Sequence, residues 1–523
     1  MKNKKMILGM LIMIPIIFSS ISCKKFLDRK PLTSTLDDLH QGTLEAQSFG
    51  LYSVLRGYSG FSSLPWLDFN SIRDDDAQKG SSSTDGKEIN AEFETFQYTK
   101  DDWATDTYWN DHYYMINQAN KELFTADSLK VSDDASLRNV GEACFFRAYS
   151  YFELVKAYGD VPLINYYYTD ASKGVQPKSP AATIYALIDS DLTVASQRLP
   201  LNWEVASNNL YPGRLTSGAA KTLWAQTYLF RKNWAQVVAL CTDVIASSQY
   251  SLSSNFVDVW KEGLNGVGKN GPGSIFETQS WTTQGGTTSY GNAFGTSQNV
   301  RQGGASVDWN LGWGWNTPTD KLVKDWDSTD PRKNATILYS GRYDGGSAEG
   351  GFGATLPPYA PGSALDQKYW NKKVYSDPAM RAFTGEIGSS GGADWINHRI
   401  LRYADVLLMM AEASNEIGDG PTAEAMLEKV RARARGTNNA VLPHIAFTNQ
   451  AQMRTAIKNE RRWEFAMEGY RFYDLVRWTP AADGIDAPSQ LGNLGYQEKN
   501  ALYPIPQPAI DISGGLLKQN PNY

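Results

Sequence analysis

The chain has 523 residues, 41% of them hydrophobic and 20% charged, enough apolar side chain for a large buried core and too much for a disordered protein. A net charge of −6 provides no basic footprint for a nucleic-acid partner. Beyond the first residues every apolar run is short and interrupted by charge, which excludes a membrane-spanning helix from the body of the chain.

Lys2, Lys4 and Lys5 precede an apolar run from Met6 to Phe18, short for a membrane span and of the right size for a secretory leader. Small residues follow, Ser19, Ser20 and Ser22, and then Cys23. This ending resembles a bacterial lipoprotein signal, with residues 1–22 removed and Cys23 acylated, although Ser20 stands where Leu is usual. Several acyl chains on Cys23 would hold the protein firmly to outer-membrane lipid. Cys144 and Cys241 then remain; both fall in predicted helices among apolar neighbours and are expected as buried free thiols.

The body alternates between two kinds of sequence. Asp134 to Tyr158 carries Val140, Ala143, Cys144, Ala148, Tyr151, Phe152 and Val155 at helical spacing, with Gly159 and Pro162 as its exit. Similar patterns predict helices over Ser179–Arg198, Thr216–Phe230, Trp234–Ser247, Tyr403–Ile417, Pro421–Arg435 and Ala451–Leu475. Helix, tight turn, helix, with small residues such as Ala219, Ala220 and Ala225 at the crossings, is how stacked helical hairpins are built. The other kind of sequence runs from Gly263 to Gly362, dense in Gly, Ser, Thr and Asn and without periodicity. It carries Trp281, Tyr290, Phe294, Trp309, Trp313, Trp315 and Trp326, too many aromatics for a solvated tail. Ser62 to Asp102 has the same irregular character. Long loops on a rigid helical scaffold are where binding residues concentrate.

Several blocks resemble the SusD/RagB family of Bacteroidetes outer-membrane lipoproteins. After Cys23 comes Phe26-Leu27-Asp28-Arg29-Lys30-Pro31, and Trp109 to Asn120 (WNDHYYMINQAN) is similar to a family helix. So are Glu142 to Leu163 (EACFFRAYSYFELVKAYGDVPL), His398 to Glu412 (HRILRYADVLLMMAE), Asn459 to Arg477 (NERRWEFAMEGYRFYDLVR) and the ending Tyr503 to Tyr523. The blocks keep the family's order along the chain. The resemblance implies a mostly α fold of tetratricopeptide-like helical hairpins, with irregular loop insertions forming a ligand face. On that pattern residues 23–260 form an amino-terminal helical part with a loop over 62–102. Residues 261–523 form a carboxy-terminal part with a Gly- and Trp-rich loop over 263–395 and closing helices over 399–478. It also implies a surface lipoprotein that passes oligosaccharides, or in some members peptides, to a SusC-like TonB-dependent outer-membrane transporter.

A sugar ring has apolar faces and a polar rim, so flat aromatic side chains with Asn, Asp and Arg beside them suit it. The first loop offers Trp66, Asp68, Asn70, Arg73 and Asp74, with Trp103 at its end. The second offers Trp281, Tyr290, Asn292, Trp309, Trp313 and Trp315. Trp313 and Trp315 lie in a segment common across the family and are the more structural of these. The mixture favours a glycan over a peptide, which would pair backbone with backbone and need fewer exposed rings. A third alternative, a secreted hydrolase, needs two carboxylates facing across a cleft. Glu460, Glu464 and Glu468 share one helix face instead, with Arg461, Arg471 and Arg477 at hand as ion-pair partners. Asp74-Asp75-Asp76 lacks Ca²⁺-loop spacing and is expected as a solvated acidic loop. His40, His112, His398 and His444 lie outside helical reach of one another, and no Gly-x-Ser-x-Gly elbow occurs. No catalytic residue, metal or cofactor is therefore assigned.

Overall fold

A computed structural model describes residues 44–82, 85, 90–205, 208–209, 211–262, 268–282, 289–302, 309–363, 365–378 and 395–523. Cys23, His40 and the Phe26–Pro31 block lie outside the described residues.

Helices form the frame. α1 is Glu45–Gly57, α2 is Leu64–Asn70, α3 is Trp103–Leu129, α4 is Asp134–Tyr158 and α5 is Ala181–Arg198. α6 is Ser217–Phe230, α7 is Trp234–Ala246, α8 is Tyr403–Glu416 and α9 is Gly420–Arg435. α10, Gln450–Phe465, and α11, Arg471–Trp478, close the set. Their starts follow capping chemistry: Asp133 accepts from the Ser136 amide at 2.8 Å, Thr216 from Ala219 at 3.2 Å and Asn449 from Gln452 at 2.9 Å. Each long helix from α3 to α9 packs on the next in the chain, α7 meeting α8 across the long intervening loop. This is the tetratricopeptide-like array of hairpins expected.

One predicted helix divides. Ala451–Leu475 becomes α10 and α11, separated by a turn in which Met467 and Gly469 have φ of 66° and 80°. A Cβ on Gly469 would meet the Trp66 ring at 2.7 Å, so the chain bends where Trp66 packs, and only glycine fits. The irregular stretches also hold more regular structure than their composition suggested. α2 and a turn of helix at Asn90–Glu94 lie within 62–102. The first stretch holds one short strand, β1 Ala77–Gly80. The second holds β2 Ser274–Thr278, β3 Trp281–Thr282, β4 Ser289–Tyr290, β5 Trp315–Pro318, β6 Ile337–Tyr339 and β7 Tyr369–Asn371. β8, His398–Arg402, follows it, so residues 399–402 of the expected closing helices are strand. The strands pair antiparallel as β1 with β5, β2 with β8, β3 with β4 and β6 with β7. β1 and β5 thus tie the first irregular stretch to the second. One continuous apolar core runs from Leu51 to Leu517 and takes side chains from both halves of the chain; Cys144 and Cys241 are buried free thiols.

Candidate ligand-binding face

The polar residues singled out in the first loop point inward. Arg73 is fully buried, its guanidinium between the rings of Phe472 and Tyr503, each 3.7 Å away. Its Nη1 donates to the Tyr98 hydroxyl at 3.1 Å. Asp68 is buried, and desolvation together with Asp102 raises its carboxyl well above the usual range. Asn70 donates to the Trp66 carbonyl at 3.0 Å. Asp74 accepts from the amides of Asp76 and Ala77 at 2.8 and 2.9 Å, organising the turn into β1. Trp66 lies edge-on to His398 at 4.5 Å and Phe294 at 5.6 Å. Trp66 and Asn70 border a cavity of about 80 Å³, room for a few waters but not for a sugar chain. Trp66, Asp68 and Asn70 turn inward from α2 itself, while Arg73 and Asp74 fasten the irregular segment that follows it to the scaffold, because buried backbone groups and turns need such partners.

The acidic run is a correction. Asp74, Asp75 and Asp76 are buried, not solvated. Arg471 bonds Asp75 at 2.8 Å and Arg462 bonds Asp76 at 2.6 Å. Side chains from α10 and α11, distant in sequence, draw the run inward.

In the second loop, Asn292 caps the short helix Ala293–Gln298 by accepting from the Phe294 amide at 2.8 Å. Trp315 is buried on β5 with the Lys79 ammonium 5.3 Å from its ring. Trp313 packs on the main core, and Trp309 lies parallel to Tyr375 at 6.3 Å.

Three of the twelve singled-out residues stand in solvent. Trp103, the first residue of α3, is 48% exposed; Trp281 and Tyr290 are 42% and 52% exposed. Trp281 and Tyr290 face each other across the β3–β4 pair, so both rings rise from one side of the ribbon. The Arg56 guanidinium, at the end of α1, lies 5.5 Å from the Tyr290 ring centroid. Two residues on, Tyr58 stacks on Tyr114 with centroids 5.0 Å apart and planes 19° from parallel. Tyr114 is 41% exposed, and Trp103 is eleven residues before it on α3. That spacing is three turns plus about 20°, which puts both rings on one stripe about 16 Å apart. The surface thus carries two exposed ring pairs, Tyr58 with Tyr114 and Trp281 with Tyr290, and Arg56 lies beside the second and two residues before Tyr58. Sequence reasoning missed Tyr58, Tyr114 and Arg56; helical spacing from Trp103 was the available signal for Tyr114.

The carboxylates of α10 offer no such surface. Glu460 bonds Arg332 and Arg431 at 2.6 and 2.8 Å, and Glu464 bonds Arg433 and Arg402 at 2.6 and 3.0 Å. Glu468 bonds Lys373 and Arg402 at 2.6 and 2.7 Å. The network is ionic as expected, but its partners differ: Arg461 serves Asp405 and Asp474, Arg471 serves Asp75, and Arg477 serves Glu412. Burial holds the His112 and His398 imidazoles neutral, the latter with its pKa lowered to about 3. Among the described residues no group of three or more His, Cys, Asp or Glu side chains is placed to hold a metal ion, and no helix is long and apolar enough to cross a membrane.

Comparison with known proteins places this arrangement. Residues 272–523 match the SusD family, and residues 64–229 match a family described as "Starch-binding associating with outer membrane". A SusD-like protein of Formosa agariphila is 26% identical over 471 residues, covering 86% of this chain and 87% of its own. One from Bacteroides ovatus is 26% identical over 418 residues, covering 74% of this chain and 68% of its own. A laminarin-binding SusD-like protein superposes with a TM-score of 0.71 at 25% identity, covering 92% of this chain and 99% of that one. Surface glycan-binding protein A from Bacteroides thetaiotaomicron, solved with laminarihexaose, gives a TM-score of 0.72 at 22% identity over 93% and 100% of the two chains. The two matched segments, spread over most of the length, and the shared helical architecture make this chain a member of the SusD/RagB family.

Proposed function

We propose that the protein is a non-catalytic glycan-binding lipoprotein of the outer-membrane surface, anchored through acylated Cys23. It captures oligosaccharides and hands them to a SusC-like TonB-dependent transporter. The observation that carries the binding role is the paired Trp281 and Tyr290, both in solvent with Arg56 beside the Tyr290 ring, while the exposed Tyr58–Tyr114 stack begins two residues after Arg56. A monomeric surface seldom leaves several large rings uncovered without a ligand for them, and rings with a polar rim suit sugar faces. The laminarin-binding relative supports the same ligand class.

Native-gel affinity electrophoresis against a panel of plant, host and microbial polysaccharides tests the reading. One glycan is expected to retard the protein. Trp281 exposes 42% of its surface; covering about 50–100 Å² of ring corresponds to roughly 1.3–2.6 kcal/mol. Trp281→Ala should therefore weaken binding about 10- to 80-fold with the fold intact. Unchanged retardation in Trp281→Ala and Tyr290→Ala would reject this face, and capture of peptides without any glycan would reject the ligand class.

A further inference from the structure

A second concavity opens beside the ring platform. It has a volume of about 320 Å³ and is lined by Phe49, Tyr52 and Arg56 of α1, with Tyr211, Arg214 and Gln279 opposite. That size stands at the lower end of small-ligand sites, about 300–1,000 Å³. Arg56 belongs to both places, bordering the groove while lying over Tyr290.

The two arginines of the groove differ in charge balance. Arg214, on its floor, is neutralised by Glu45 at 2.7 Å and Glu142 at 2.6 Å, and it lies 4.1 Å from the Trp203 ring and 5.2 Å from Phe49. Arg56 has no carboxylate within ion-pair distance among the described residues; its side chain makes one long contact of 3.5 Å with Ser53 Oγ. Beyond Trp203 lies Arg138, 5.9 Å from that ring and also without a carboxylate partner among the described residues. The acids of the neighbouring elements do not answer Arg56. Glu45 and Glu142 are taken by Arg214, Asp111 accepts from the Gly60 amide at 2.8 Å, and Glu204 is exposed on the strand after Trp203. A guanidinium laid near a ring, with its N–H fork uncommitted, fits a planar anionic group bidentately.

We propose that this groove is a subsite for a sugar residue bearing a carboxylate or sulfate group held by Arg56, so that the captured glycan is an acidic polysaccharide. The inference rests on the glycan reading above and adds the chemical class of the sugar. Calorimetric titration of the purified full-length protein in detergent tests it. The probes are oligogalacturonate, sulfated galactan oligomers, their carboxyl-reduced and desulfated counterparts, and neutral laminarin oligomers, at about 50 and about 300 mM NaCl. One acidic form is expected to bind roughly tenfold or more tighter than its neutral counterpart, with the advantage shrinking at the higher salt. Arg56→Gln should abolish that advantage and Arg56→Lys should keep part of it, both at an unchanged melting temperature. The arm that shows the preference identifies carboxylate or sulfate. Equal affinity for acidic and neutral forms, or a preference that survives Arg56→Gln, overturns the inference and leaves glycan binding standing. Absence of binding to every acidic oligomer also overturns the inference, while the glycan reading is decided separately by the native-gel panel.

Discussion

Replacing Arg73 separates a ligand contact from a core pin. The side chain is fully buried between two aromatic faces at 3.7 Å, with one good hydrogen bond to Tyr98 and two longer ones at 3.4 Å to Phe69 and Tyr473. Desolvated cation–π contacts contribute about 2 kcal/mol each, and a charged hydrogen bond about 1.5–3 kcal/mol. Against these stands the several kcal/mol needed to bury a charge that has no carboxylate partner. Arg73→Met keeps the stem and removes both sides of that balance, so its expected cost is small, about 1–2 kcal/mol. Arg73→Ala also leaves a void between two rings and should cost about 3–5 kcal/mol. For 523 residues the unfolding entropy makes one degree of melting temperature worth about 1 kcal/mol. Scanning fluorimetry at one fixed scan rate should then show falls of about 1–2 and about 3–5 °C respectively. An unchanged melting temperature in Arg73→Ala, accompanied by lost glycan retention, would show that the guanidinium reaches ligand and refute its assignment to the core.

Two further expectations concern carboxyl groups. Burial pushes the Asp111 carboxyl up to about 6, with Asp106 adding to the rise and the Gly60 amide opposing it. A carboxyl raised on folding holds more protons in the native state between pH 4 and 6, so its contribution to stability falls as pH rises through that window. Asp111→Asn should therefore gain in melting temperature relative to the unmodified protein from pH 4 to pH 7; a constant difference across that range would refute the shift. Glu464 lies at the opposite extreme: burial alone would raise its pKa, but Arg433, Arg402 and Arg332 pull it well below the usual carboxylate range. Its stabilising contribution is present above the unfolded pKa near 4.3 and is lost as pH falls. Glu464→Gln leaves three guanidiniums around a neutral amide and should cost about 3–5 kcal/mol at neutral pH, with a shallower acid limb in urea-melt profiles; a variant as stable as the parent would refute the network's role.

The helical frame was legible because its signal is local. Periodicity, the Gly159 exit and the caps at Asp133 and Thr216 sit within a few residues of what they determine, and α4 spans the residues its pattern predicts. The break between α10 and α11 was not legible, since Trp66, which occupies the space beside Gly469, is about four hundred residues away in sequence. The same holds for the acidic run: nothing near Asp74–Asp76 announces Arg462 and Arg471 as partners. Ion pairs between distant segments leave no periodic trace.

The candidate site divides along that line. In an irregular segment the backbone amides lack ladder partners, so nearby Asp, Asn and Arg side chains are the first groups available to satisfy them or to pin the turn. Asp74 and Asn292 do this by accepting from backbone amides. Composition alone therefore overstates how many polar loop residues remain for a ligand. Rings on regular elements carry no such obligation. Tyr114 has its amide committed within α3, and Trp281 and Tyr290 pair across a ribbon, so their side chains are left to face solvent. In a scaffold of this kind the aromatic residues to test first are those on helix stripes and strand pairs whose partners across the element are already exposed. By that criterion Trp281, Tyr290 and Tyr114, the last with Tyr58 stacked on it from the turn after α1, rank above Trp309, Trp313 and Trp315, whose rings already have protein neighbours.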